Sequence, residues 1–137
     1  MTSRSTLTRR GLIASAAAVG AASVLPGREA LAEAKPLVIG FIYVGPRDDY
    51  GYNQAHAEGA AVVKSMSGVK VLEEEKVAET LDVQKSMQSM IELDGATLLF
   101  PTSFGYFDPH MLRVADKYKS IQFRHCGGLW NESKHPK

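Results

Sequence analysis

The sequence contains a single cysteine, Cys126, among 137 residues. One thiol excludes an internal disulfide, and no cysteine stands where a lipoprotein would be acylated. Long hydrophobic runs are missing as well. The apolar stretch 11–25, GLIASAAAVGAASVL, is diluted by Ala, Gly and Ser and falls short of the roughly 20 residues that cross a bilayer. No excess of one charge exists, with 16 Lys and Arg against 15 Asp and Glu, so a nucleic-acid or anionic-membrane footprint is not expected. No Gly-x-Gly-x-x-Gly follows the first strand-like run, which argues against a dinucleotide site. His56, His110, His125 and His135 lie at no metal-ligand spacing. No serine occupies a nucleophile elbow and no carboxylate pair is spaced for acid–base work. No cofactor is expected.

What is present begins with a layout of its own. Residues 1–10 hold three arginines and no acid, the apolar stretch follows, and Ala30-Leu31-Ala32 and Ala32-Glu33-Ala34 offer small-x-small cleavage sites. Basic, apolar, then small is the order of an export signal. Thr8-Arg9-Arg10-Gly11-Leu12-Ile13 further resembles a twin-arginine signal, whose cargo is exported folded. Residues 1–34 are therefore expected to be a signal peptide, and 35–137 the mature part, in the periplasm. That part carries 12 basic and 13 acidic residues, a formal charge of −1. A lone thiol in an oxidising compartment is safest buried, and Cys126, after Ile121-Gln122-Phe123, is expected in the core.

Beyond residue 35 the pattern alternates. The β-branched and aromatic run 37–44, LVIGFIYV, reads as a strand covered on both faces. A helix over 53–66 follows, ended by Ser67-Gly68, and then a short strand at 69–72. Thr80 and Asp82 can cap a second helix, whose Val83, Met87, Met90 and Ile91 repeat with helical spacing. Gly95 stops it, 96–100 (ATLLF) forms a third strand closed by Pro101, and Asp108 with Pro109 starts a third helix. Residues 121–125 form a fourth strand, broken by Gly127-Gly128. Such alternation predicts an α/β fold, a doubly wound and mostly parallel sheet. Glu73-Glu74-Glu75 reads as a solvated strand end. The stretch 130–137 ends without a capped element, as if the chain were cut.

Open α/β sheets bind ligands beyond the carboxyl ends of their strands, and two turns there are heavily decorated. After the first strand comes GPRDDYGYN, residues 45–53; after the third comes TSFGYFD, residues 102–108. Their rings can stack on a flat ligand while hydroxyl, amide and carboxylate groups orient it. Singly, each ring could simply pack, and Asp48, Asp49 and Asp108 could simply cap helices. Finding the same groups on both turns, at adjacent ends of one sheet, favours a small-molecule site. The candidates are Asp48, Asp49, Tyr50, Tyr52, Asn53, Ser103, Phe104 and Tyr106. The acidic pair is similar to that of phosphate-accepting receiver domains, but the third strand ends without an acid to take a phosphate.

The two turns, Asp48-Asp49-Tyr50-Gly51-Tyr52-Asn53-Gln54 continuing to Glu58-Gly59 and Thr102-Ser103-Phe104-Gly105-Tyr106-Phe107-Asp108-Pro109, resemble the basic membrane protein family. Its members are substrate-binding components of ABC importers with a periplasmic-binding-protein fold of type I, some of them purine-nucleoside lipoproteins. The resemblance runs from about residue 36 to 130. It implies that 35–137 is most of a first lobe whose second lobe lies outside this chain. It implies a small-molecule ligand, an ABC permease as partner, contact with the membrane only through that permease, and no catalysis. In the nucleoside-binding members an aromatic followed by Asn stacks on and bonds the base; Tyr52 and Asn53 match. Tyr43, in Tyr43-Val44-Gly45-Pro46, stands where those members carry Asp and joins the candidates. The competing expectations are an exported enzyme using Asp48 or Asp49 as a base, and a periplasmic sensor lobe.

Overall fold

The computed structural model describes residues 35–135; the export signal read in 1–34 lies outside them. Four strands, β1 (Leu37–Ile42), β2 (Val69–Glu74), β3 (Leu98–Pro101) and β4 (Gln122–Phe123), alternate with helices α1 (Tyr52–Lys64), α2 (Leu81–Glu92) and α3 (Leu112–Lys117). The strands form one sheet in the order β2-β1-β3-β4, and every pairing is parallel. The doubly wound α/β expectation is met.

Alternation along β1 divides the core. Ile39, Phe41 and Tyr43 face α1 and pack with Ala60. Ile42, with Leu99 of β3, faces the opposite side and packs with Val83, Met87 and Met90 of α2 and Val114 of α3. Between them Gly40 passes under α2: a Cβ there would lie 2.4 Å from Leu99 Cδ2 and 2.6 Å from Met90 Sδ. The close approach of helix to strand needs that missing side chain.

Local signals place most boundaries. Thr80 caps α2, its Oγ1 accepting from the Asp82 amide at 3.2 Å. Two expectations fail near strand and helix ends. Glu73 and Glu74 belong to β2, and Glu73 is not a solvated end: its carboxylate accepts from the Tyr43 hydroxyl at 3.1 Å and pairs with Arg47 at 3.3 Å. The third helix does not run regularly from Asp108. A 3-10 turn (Phe104–Tyr106) and a wider turn (Phe107–Met111) precede α3. Asp108 is extended, φ −119° and ψ 121°, as a residue before proline favours. Its carboxylate makes no cap and lies 3.6 Å from His135 Nε2.

Candidate functional site

From β1 the chain turns into α1 on one face of the sheet; from β3 it turns into α3 on the other. Neighbouring strands whose connections depart to opposite faces leave a crevice at their carboxyl ends, the usual ligand position in such sheets. Both decorated turns open there.

The first turn is organised by Asp49. Its Oδ1 accepts from the amides of Gly51 (2.9 Å) and Gln54 (3.0 Å); its Oδ2 accepts from the Asn53 amide (3.2 Å) and Asn53 Nδ2 (2.7 Å). These bonds occupy the Gly51, Asn53 and Gln54 amides at the start of α1 and hold the carboxyl down at about 2, chiefly through the Gln54 amide and the Asn53 side chain. Asp49 is thus a helix cap and a poor base. Because its folded value lies below the ordinary 3.8, the cap stabilises the fold above that range and is lost as pH falls toward 2. The melting-temperature gap between wild type and Asp49→Asn should therefore narrow between about pH 5 and pH 2. A gap that stays constant would contradict the assignment.

Tyr52, the first residue of α1, crosses to the second turn. Its hydroxyl donates to the Thr102 carbonyl at 2.7 Å and reaches the Cys126 carbonyl at 3.3 Å. Its ring lies 5.3 Å from Phe104, tilted by 36°, and 4.6 Å edge-on from His56. Burial, then the neighbouring Cys126, raises the Tyr52 hydroxyl above its ordinary value, so it stays a donor. Burial and then His125 lower His56, which leaves its ring neutral near pH 7. Tyr52 is 36% and Phe104 62% exposed, so the pair forms an aromatic face open to one side. Thr102 fastens the second turn to β1, its amide and hydroxyl both donating to the Ile42 carbonyl at 3.0 and 2.9 Å.

The other candidates separate. Asp48 is exposed near Arg47 and Lys64, away from the two rings. Tyr50 is 96% exposed at φ 56°, at the tip of the first turn. Asn53 is buried and turned toward Asp49, its Oδ1 without a partner among the described residues. Ser103 is buried, its hydroxyl donating to Glu79. Tyr43 and Tyr106 do not reach the open face. Both are fully buried, and burial is the main reason their hydroxyls are pushed well above the ordinary value. Tyr43 shares a strand face with Ile39 and Phe41, while Tyr106 donates to the Val77 carbonyl at 2.5 Å. The i, i+2 spacing of Ile39, Phe41 and Tyr43 is the signal that marks Tyr43 as core.

Cys126 is exposed rather than buried, because β4 ends at Phe123 and the thiol lies in the loop beyond. It borders a 370 Å³ cavity beside Tyr52, floored by the stacked rings of Phe41 and Phe100, 4.8 Å apart, and edged by His56 and His125. Sequence reasoning also missed Glu79 and Gly127. A Cβ on Gly127, at φ +90°, would lie 2.2 Å from Phe104 Cε1, so only glycine fits under that ring. Its neighbour Gly128 makes a turn the obvious reading, and nothing nearby in sequence points to Phe104. Among the described residues no three potential ligands gather around a metal position, and no helix is long and apolar enough to cross a membrane.

No family model matches the chain. Over 109 residues it is 38% identical to a purine-binding protein of Brucella abortus (strain 2308), an alignment covering 78% of this chain and 30% of the relative. In structure it is similar to an ABC transporter solute-binding protein from Conexibacter woesei DSM 14684, with a TM-score of 0.51 and 21% identity, over 64% of this chain and 28% of the other. That likeness shows the fold. The resemblance carried by the two turns is thus met twice, in sequence by a purine-binding protein and in fold by a solute-binding one. The chain spans about 30% of the length of the curated relative it matches.

Proposed function

We propose that residues 35–135 belong to the first lobe of an exported receptor that hands a purine base or nucleoside to an ABC permease. Tyr52 and Phe104 form one wall of its ligand cleft. The observation that carries this reading is the open aromatic face at the strand ends, in a chain 38% identical to a purine-binding protein. A flat heterocycle stacks on such rings. Ligand pockets bury about 70–90% of their ligand, which one wall cannot do, so a second lobe is required for tight binding. Extracytoplasmic placement follows from the same reading. Catalysis is no part of it: the carboxylate best placed to act as a base, Asp49, is already occupied by four donors.

Titrating the isotope-labelled chain with adenine, and with ribose as control, tests the proposal by nuclear magnetic resonance, which detects weak binding. Adenine should shift Tyr52, Asn53 and residues 102–105 and leave α2 unmoved, while ribose shifts none of them. Adenine shifts confined to α2, or none at any concentration, would overturn it.

A further inference from the structure

Both site turns hang from one connection, residues 75–80 between β2 and α2. On the side of the first turn, Glu75 Oε2 accepts from the Arg47 amide and Nε at 3.1 and 3.2 Å. The Lys76 amide donates to the Gly45 carbonyl at 3.3 Å and the Val77 amide to Tyr43 at 3.1 Å. On the side of the second, the Val77 carbonyl takes the Tyr106 hydroxyl. Glu79 Oε1 takes the Ser103 hydroxyl and, at 3.0 Å, the Gly105 amide.

Glu79 therefore grips the residues on either side of Phe104. Ser103 makes no cap of its own for the 3-10 turn it precedes; the Glu79 carboxylate does that work from 24 residues away. It lies so close that a Cβ on Gly105 would be 2.4 Å from Glu79 Cδ. Phe104 needs such a hold, because its ring is mostly exposed and burial does not fix its direction. Hydrogen bonds to a charged acceptor are the stronger kind.

We infer that Glu79 is a positioning residue, holding the 3-10 turn so that Phe104 stands beside Tyr52 as the ligand-stacking face; the inference rests on the purine-site reading above. Glu79→Ala should speed hydrogen exchange at the Gly105 amide and weaken the Overhauser contact between the Phe104 and Tyr52 rings. It should also reduce adenine affinity about tenfold, the equivalent of one charge-assisted bond. Glu79→Gln keeps an acceptor oxygen and should reverse most of all three changes. The full chain is used, with melting temperature recorded for each variant. An unchanged ring contact in Glu79→Ala overturns the inference. So does a lowered melting temperature with adenine affinity intact, which would make Glu79 a stabiliser only. If wild type binds no adenine, the purine reading falls, while the exchange and ring-contact measurements still decide whether Glu79 holds Phe104.

Discussion

Replacing Tyr52 by alanine is expected to weaken adenine binding by roughly 5- to 150-fold, the loss of one base-stacking ring worth ~1–3 kcal/mol. The structure adds a second consequence. The Tyr52 hydroxyl ties α1 to the Thr102 carbonyl, so the alanine variant also loses a cross-turn hydrogen bond worth ~0.5–1.5 kcal/mol. Tyr52→Phe separates the two effects. It keeps the ring and removes only the tie, so its melting temperature should fall with that of the alanine variant while its affinity stays within a few-fold of wild type. If Tyr52 serves packing alone, both variants lose stability and neither loses affinity. Calorimetric melting and resonance titration on the same samples decide the matter. An alanine variant that is less stable but binds adenine as wild type does would remove the stacking role.

The largest stability effect is expected in the core, at the crossing of β1, β3 and α2. Leu99 is fully buried, and Leu99→Ala should cost ~2–5 kcal/mol, lost transfer energy plus the cavity left behind. A domain of this size holds ~5–15 kcal/mol in all, so the loss is a substantial share of the total. Gly40→Ala should cost ~1–3 kcal/mol by the opposite route, since its methyl would press on Leu99 Cδ2 and Met90 Sδ. Shortening Leu99 vacates the space the new methyl would enter. The double variant should therefore be less destabilised than the two single costs combined, by at least ~0.5 kcal/mol as for residues in contact. Urea denaturation of the four proteins measures that coupling. Strict additivity would mean that β1 and α2 separate instead of sharing the space.

How much of this was legible in the residues depends on how local each cause is. The alternation of strands and helices came from short-range preferences: β-branched runs bounded by Gly and Pro, Thr80 offering its oxygen to Asp82, and helical spacing from Val83 to Met90. The meeting of the two turns also followed from that alternation, because a doubly wound sheet puts its first and third strands side by side. The sequence alone therefore determined the class of fold, the parallel sheet and the end of it where the two candidate turns meet.

Which side chains reach the open face was decided by tertiary structure. Tyr43 and Tyr52 are equally aromatic, but the pleat turns Tyr43 toward α1 and the Glu73 carboxylate, while the first turn of a helix presents Tyr52 to Thr102. Tyr106 and Phe104 sit two residues apart in a 3-10 turn whose tightness buries one and exposes the other. Cys126 is exposed because β4 stops after two paired residues, and Glu79 matters because the chain path returns it to Ser103. A residue's neighbours in sequence set its backbone preference. For Tyr43, Tyr52 and Glu79 the hydrogen-bond partner is set by segments tens of residues away, and those become adjacent only when the sheet has formed.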